Sequence, residues 1–314
     1  MTSPQAINPS NSFFKRFLFW ASDRFPIFNI IVAFVMAFSI KGLFSRELGF
    51  EWAFQDFLLG LLFLTLLFIL RVMDEHKDFE SDKTFHPDRA VQKGIIQLFE
   101  LRRLGYLALA LQSVALFYLS QSGLLILGIW AFVLTWALLM LKEFFVKNWL
   151  RQRLLFYSFL HLLISPFMFL TGWYYYASQN NSFDLKKLML LMSLSLVTGL
   201  MFEIGRKNRS APEDAKGEIS FSQIWGRKKT CLILIILSII SLILGSLYIG
   251  SGIVSLIVFA IFGLLLLFLA VHSLINFIKS PSEENHKKSR QLIELLVVWS
   301  FVGSFLIVLV RSYL

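Results

Sequence analysis

Nine stretches of this chain stay apolar for about the 20 residues that a helix needs to cross a bilayer. They lie at about 26–44, 53–73, 104–120, 123–141, 154–177, 187–206, 230–249, 252–277 and 292–312. No other feature limits the fold as much. In hydrocarbon every backbone N–H and C=O has to be satisfied within the protein, so runs of this length are expected as helices. Charge is scarce, at 16% of 314 residues, where a soluble domain carries about 25%. The expected fold is all-α, a polytopic membrane protein with nine transmembrane helices. Residues 26–314 are expected to form one helical domain behind an N-terminal segment, 1–25.

Inside that segment, residues 13–24 (FFKRFLFWASDR) mix aromatics with Lys15, Arg16 and Arg24. This pattern fits a helix lying in the membrane interface, and Pro26 suits the first turn of the helix that follows. Residues 1–12 are polar and no small-residue cleavage site follows the first apolar run, so no cleavable signal peptide is expected. Spans three and four are joined by Ser120-Gln121-Ser122-Gly123, and spans seven and eight by Gly250-Ser251-Gly252. Both pairs are expected as antiparallel hairpins. The single cysteine, Cys231, starts an apolar run, so no disulfide can form within the chain.

Lys and Arg set the orientation. With the N-terminus in the cytoplasm, the cytoplasmic segments hold 25 of the 30 Lys and Arg residues. The spans and the opposite side share Lys41, Arg46, Lys186, Lys187 and Arg311. This distribution accounts for the net charge of +10 as a topogenic feature that also favours anionic lipid heads. A nucleic-acid partner is not expected. The chain is expected to be an integral, multi-pass protein of a bacterial inner membrane, with its N-terminus and charged loops cytoplasmic.

The second span ends in Arg71-Val72-Met73-Asp74-Glu75-His76-Lys77-Asp78-Phe79-Glu80-Ser81-Asp82. On a helix Asp74, Glu75, Asp78 and Asp82 fall at about 0°, 100°, 40° and 80°, all on one arc. Carboxylates so placed repel one another unless something cationic joins them. They suit Mg²⁺, which takes one or two carboxylates plus substrate phosphates. The plainer reading is a solvated helix end paired with Arg71, Lys77 and Lys83. A second constellation closes span six, where Glu203, Arg206 and Lys207 share a face. It reads either as a self-neutralised helix end or as an anion clamp, with Arg offering a fork and Lys a point charge to phosphate.

These residues resemble the UbiA superfamily of intramembrane prenyltransferases. That family has nine transmembrane helices around a central lipid-open chamber, and two acidic motifs on cytoplasmic loops after helices two and six. Asp74-Glu75-x-x-Asp78-x-x-x-Asp82 is similar to its first motif, N-D-x-x-D-x-x-x-D, with Asp for Asn and Glu for the first Asp. Arg89-Ala90-Val91-Gln92-Lys93-Gly94 is similar to its Arg-Pro-x-x-Arg-Gly segment. Glu203 resembles the first acid of the second motif, Arg206 and Lys207 stand where further acids would be, and Glu213 or Asp214 is a candidate later acid.

The resemblance implies transfer of a prenyl group from a prenyl diphosphate to an acceptor, with Mg²⁺ as cofactor and membrane lipids around the reaction. It implies Asp74, Glu75, Asp78, Asp82 and Glu203 as metal ligands, with Asp78 and Asp82 catalytic. Arg89, Lys93, Arg206 and Lys207 are the implied diphosphate contacts. Tyr157 and His161 are candidate chamber residues. His161 is an ionisable group within a span, a position that by default suggests function; the plainer reading is a neutral His satisfied by a carbonyl that Pro166 leaves free. A terpene cyclase on the same scaffold, or a lipid carrier without catalysis, are the alternatives. The acids cluster at the expected boundary rather than at mid-membrane, which favours phosphate chemistry over transport.

The charge distribution generates a direct test of topology. A reporter fused after Leu314 is expected on the non-cytoplasmic side and one inserted beside Glu284 in the cytoplasm; the same side for both would refute an odd number of spans.

Overall fold

A computed structural model describes residues 8–48, 51–210, 219–250 and 252–313. Glu213, Asp214 and Ser251 lie outside the described residues. The described chain is helical, with no strand among the described residues. Eight helices are long and apolar enough to cross a membrane. The remaining expected span, Leu125–Leu141, has 17 residues, about 25 Å of helix, and stands at the short end of the spanning range. The chain divides into two compact units, Met1–Ala37 with Ala53–Leu127, and Phe38–Trp52 with Gly128–Leu314.

The first unit contains α1 (Phe13–Arg24), the start of α2 (Ile27–Leu48), α3 (Phe54–Lys77), α4 (Phe79–Phe85) and α5 (Leu98–Leu119). The helix expected at residues 13–24 is present as α1, and its two faces do different things. Phe13, Phe14, Leu18 and Phe19 are exposed, as suits a helix bedded in lipid headgroups. Trp20 is fully buried in a cluster with Val72, Ala90, Val91, Ile95, Ile96 and Leu101. Phe68 of α3 stands edge-on to Trp20 at 6.0 Å and to Phe25 at 5.3 Å. The Arg16 fork fastens the other end of α1, donating to both Glu100 oxygens at 2.7 and 2.8 Å and to the Ile95 carbonyl at 3.0 Å. Where α2 meets α3, Gly60 is required for close approach, since a Cβ there would enter the Phe34 ring.

The second unit takes the end of α2, most of α6 (Leu125–Leu141), α7 (Lys147–Arg151), α8 (Leu154–Leu162), α9 (Ile164–Gln179) and α10 (Leu185–Arg206). The short α11 (Phe221–Trp225) leads into α12 (Arg227–Ile249), α13 (Ile253–Lys279), α14 (Glu283–Val298) and α15 (Ser304–Tyr313). The fifth span is broken into α8 and α9 at Leu163. Pro166 cannot donate to the Leu162 carbonyl, which removes one rung at the break. The last span carries a π-helical turn, Trp299–Gly303, between α14 and α15. Its Trp299 stacks on Phe259 at 5.6 Å and donates to the Phe259 carbonyl. Hydroxyls tie these helices together, with Ser241 and Ser300 3.0 Å apart, and Tyr248 reaches the Ser39 carbonyl of α2 at 2.6 Å.

The burial of Trp20 predicts the cost of undocking α1. Trp20→Ala is expected to destabilise the first unit by about 3–5 kcal/mol, the range for truncating a fully buried large aromatic. Hydrogen exchange in detergent micelles checks this, with faster exchange in α1 than in α12 as the expected pattern.

Candidate functional site

The acidic end of α3 is not one continuous arc. The helix stops at Lys77, and Asp78, at φ −96° and ψ 4°, ends α3 and starts α4. The hydrogen bonds still pass through the bend, from the Asp78 N–H to the Asp74 carbonyl and from the Asp82 N–H to the Asp78 carbonyl. The four acids therefore face different surroundings. Asp74 is the open one, 44% exposed, with Lys77 at 3.2 Å and Arg71 at 3.7 Å. Glu75 is 1% exposed; it accepts from Arg24 of α1 at 2.5 Å and has Arg71 at 3.8 Å. Asp82 is buried against Arg89.

A buried carboxylate needs cations and hydrogen bonds to stay charged, and this end of the unit supplies three guanidinium groups. Arg24 and Arg89 both act on Arg71 as nearby like charges, with Asp74 and Glu75 compensating. One Glu75 oxygen, Oε2, is buried with no hydrogen-bond partner, as is Nε of Arg71. The Arg89–Ile96 segment turns so that Ala90, Val91, Ile95 and Ile96 enter the Trp20 cluster, while Arg89 turns to Asp82 and Lys93 is exposed. Lys93 pairs with the exposed Asp88 at 2.9 Å.

In the second unit, Glu203 sits between two cations. Arg206 reaches it at 2.8 Å and Lys207 at 2.7 Å, and Ser158 of α8 donates from 3.4 Å. Burial pushes the Lys207 ammonium below its ordinary value, and Glu203 works against that push. A ring ladder continues from this helix end. Lys207 lies 5.8 Å over Tyr157, Tyr157 stacks on His161 at 4.1 Å, and His161 meets Phe144 edge-on at 6.1 Å. Phe144 then contacts Trp136 at 5.2 Å, and Trp136 contacts Phe167 at 5.1 Å. The two candidate chamber residues are thus neighbours in one aromatic file. His161 Nδ1 uses the Tyr157 carbonyl at 2.9 Å, one turn back, rather than one freed by Pro166.

Phe144 reaches this file through an unusual backbone. Glu143, Phe144 and Phe145 have successive φ values of 47°, 53° and 60°. Left-handed residues with side chains cost about 1–2 kcal/mol each, so the surrounding packing has to hold the turn. Trp136 also donates to the Leu160 carbonyl at 3.0 Å.

Among the described residues, no three His, Cys, Asp or Glu side chains come together closely enough to hold a metal ion. No protein-family model matches the sequence, and no curated protein matches it. Solved structures do. A digeranylgeranylglyceryl phosphate synthase aligns with a TM-score of 0.63, covering 94% of this chain and 98% of its own at 19% identity. An apo UbiA homolog from Aeropyrum pernix K1 aligns with a TM-score of 0.58, covering 86% and 95% at 14% identity. This chain has the UbiA fold. On that fold the acid-rich end of α3 and the mixed-charge end of α10 are the two stretches that the sequence resemblance singles out.

Sequence reasoning brought Arg71 in only as a charge partner and left Arg24 in an interfacial helix. Arg71 stands four residues before Glu75, a spacing that pairs charges on a helix. Arg24 is 51 residues away from Glu75 and carries no local signal. Trp136 and Phe144 were likewise hidden among the chain's 34 Phe and 8 Trp residues.

The Glu203 pairing yields a stability prediction. Glu203→Gln leaves two cations without their carboxylate and is expected to cost about 3 kcal/mol, the low end for breaking a largely buried pair. The pH dependence has a definite sign. Lys207 has a folded pKa below its unfolded one, so the unfolded state binds more protons in that window. Stability from this group therefore rises with pH, from the lowered value up to the ordinary one near 10.5. Without Glu203 the window extends to lower pH. Thermal melting of both proteins across that range reads the difference.

Proposed function

We propose that this protein is an intramembrane prenyltransferase that moves a prenyl group from a prenyl diphosphate to a lipid or aromatic acceptor. The observation that carries the reading is the acid and arginine cluster at the end of α3, on a chain of the UbiA fold. Three guanidiniums beside a bent acidic strip suit a substrate that is itself highly anionic. The reaction breaks the bond between the allylic carbon and the bridging oxygen. Diphosphate leaves with the electron pair, the acceptor's nucleophile bonds to the carbon, and the acceptor loses its proton.

The donor set fits Mg²⁺ in part. Hard carboxylate oxygens are the right ligands, and Mg²⁺ needs only one or two of them beside substrate phosphates. Asp74, which keeps an open side, and Asp78, at the bend, would hold it. Glu75 fits poorly, because Arg24 and Arg71 already occupy its buried carboxylate. When bound, the ion would neutralise charge on the departing diphosphate. Arg89 would orient diphosphate oxygens, released from Asp82 or shared with it. Lys93, more exposed, would add charge at the entrance. On the second unit Arg206 keeps 40% exposure while paired and would contact phosphate at its own helix end, with Lys207, more buried, adding charge beside it. Tyr157 and His161 offer ring faces to an apolar or cationic carbon chain.

The test uses purified protein with labelled prenyl diphosphates of several lengths and Mg²⁺, with and without membrane lipid extract. Product that requires extract supports transfer. A hydrocarbon or alcohol formed without extract favours a cyclase, and no product under either condition favours a carrier. Asp78→Asn and Asp82→Asn are each expected to abolish Mg²⁺-dependent turnover at unchanged expression. Near-normal activity in both would remove the acidic strip from the mechanism.

A further inference from the structure

Several cations near the ends of these helices are spoken for. Arg16, Arg24, Arg71, Lys77, Arg89, Lys93, Arg206 and Lys207 all pair with carboxylates. Arg227, Lys228 and Lys229 do not; among the described residues none of the three has an ion pair or a side-chain hydrogen bond. They stand in sequence at the start of α12 and line an open cavity of about 430 Å³, together with Trp225, Gly226 and Ile278. That volume lies within the range of small-molecule sites. Like charges side by side on one wall repel, and nothing in the described structure offsets them.

The cavity is built as well as charged. Trp225 is held by the fully buried Phe221, their rings 4.7 Å apart. Phe221 is pinned in turn, its N–H donating to the Lys207 carbonyl at 3.0 Å and its carbonyl accepting from Thr230 at 3.2 Å. Gly226 leaves open space where a side chain would stand. The position along the spans is equally specific. Arg227 opens one apolar helix and Ile278 is one residue from the end of another. The cavity therefore lies where spans leave the hydrocarbon, at headgroup depth. It has apolar walls from Trp225 and Ile278 and a cationic rim. None of its lining residues belongs to the acidic strip, the Glu203 cluster or the ring ladder.

We propose that this cavity is a binding site for one anionic phospholipid. The phosphate of its headgroup sits on Arg227, Lys228 and Lys229, and its glycerol backbone rests against Trp225 and Ile278. The Trp225 ring suits the interfacial depth, and each cation near an anionic headgroup contributes a gain equivalent to about fivefold in affinity. The site is distinct from any prenyl diphosphate chemistry and does not depend on it.

Native mass spectrometry of the full-length protein in detergent, titrated with phosphatidylglycerol or phosphatidylcholine, tests this. The protein is expected to retain phosphatidylglycerol in preference to phosphatidylcholine. Lys228→Gln and Lys229→Gln, both exposed positions, are each expected to weaken that retention about fivefold. The combined Arg227→Gln, Lys228→Gln and Lys229→Gln variant is expected to lose it. Lys287→Gln with Lys288→Gln, a basic pair outside the cavity, should retain the lipid like the parent. The proposal is overturned if the two single variants bind phosphatidylglycerol as the parent does, or if the control pair loses it equally. Displacement of the lipid by equimolar inorganic phosphate would also overturn it, since the site would then hold a bare anion.

Discussion

A carboxylate taken out of water at a membrane boundary has to be met by cations, and this requirement shapes the first unit. Glu75 is buried, so Arg24 has to come to it, and Arg24 comes on α1. Trp20, four residues earlier, is carried into the apolar cluster by the same docking. The Arg89–Ile96 turn completes that cluster and brings Arg89 to Asp82. Remove the charge of Glu75 and three guanidiniums lose part of what allows them to sit together. Buried ion pairs are weak sources of net stability but costly to break on one side. Their contribution here is to fix where the motif's acids point.

The broad architecture was legible because apolar length is a property of local sequence. Eight of nine expected spans appear as long helices, and the ninth differs only in being short. The acid strip was legible as composition but not as geometry. A helical wheel assumes one unbroken helix, and Asp78 bends it. A wheel also cannot tell an exposed Asp74 from a buried Glu75, because that difference comes from Arg24, 51 positions away. The pairing of Arg206 and Lys207 with Glu203 was readable, since i,i+3 and i,i+4 spacing is local. The file from Tyr157 to Phe167 was not, because it depends on a left-handed turn at residues 143–145 that no Gly or Asn announces.

In the second unit the end of α10 brings both signs of charge together. Glu203 partly offsets the two cations that follow it, so the end of α10 carries a compact cluster of mixed sign. The ring ladder begins on this pairing, with Lys207 over Tyr157. The file thus runs from an ammonium through a phenol and an imidazole to the largely apolar rings of Phe144, Trp136 and Phe167.

The fastening of α1 also imposes an order on how the protein is made. Arg16 closes on Glu100, 84 residues later in the chain, and Arg24 on Glu75. A ribosome releases the N-terminus first, so α1 exists for some time with neither partner synthesised. During that interval its phenylalanines can rest in the lipid surface while its arginines stay in water. The helix is a waiting piece, parked on the membrane until the third span has been delivered, and only then does it lock the first unit shut.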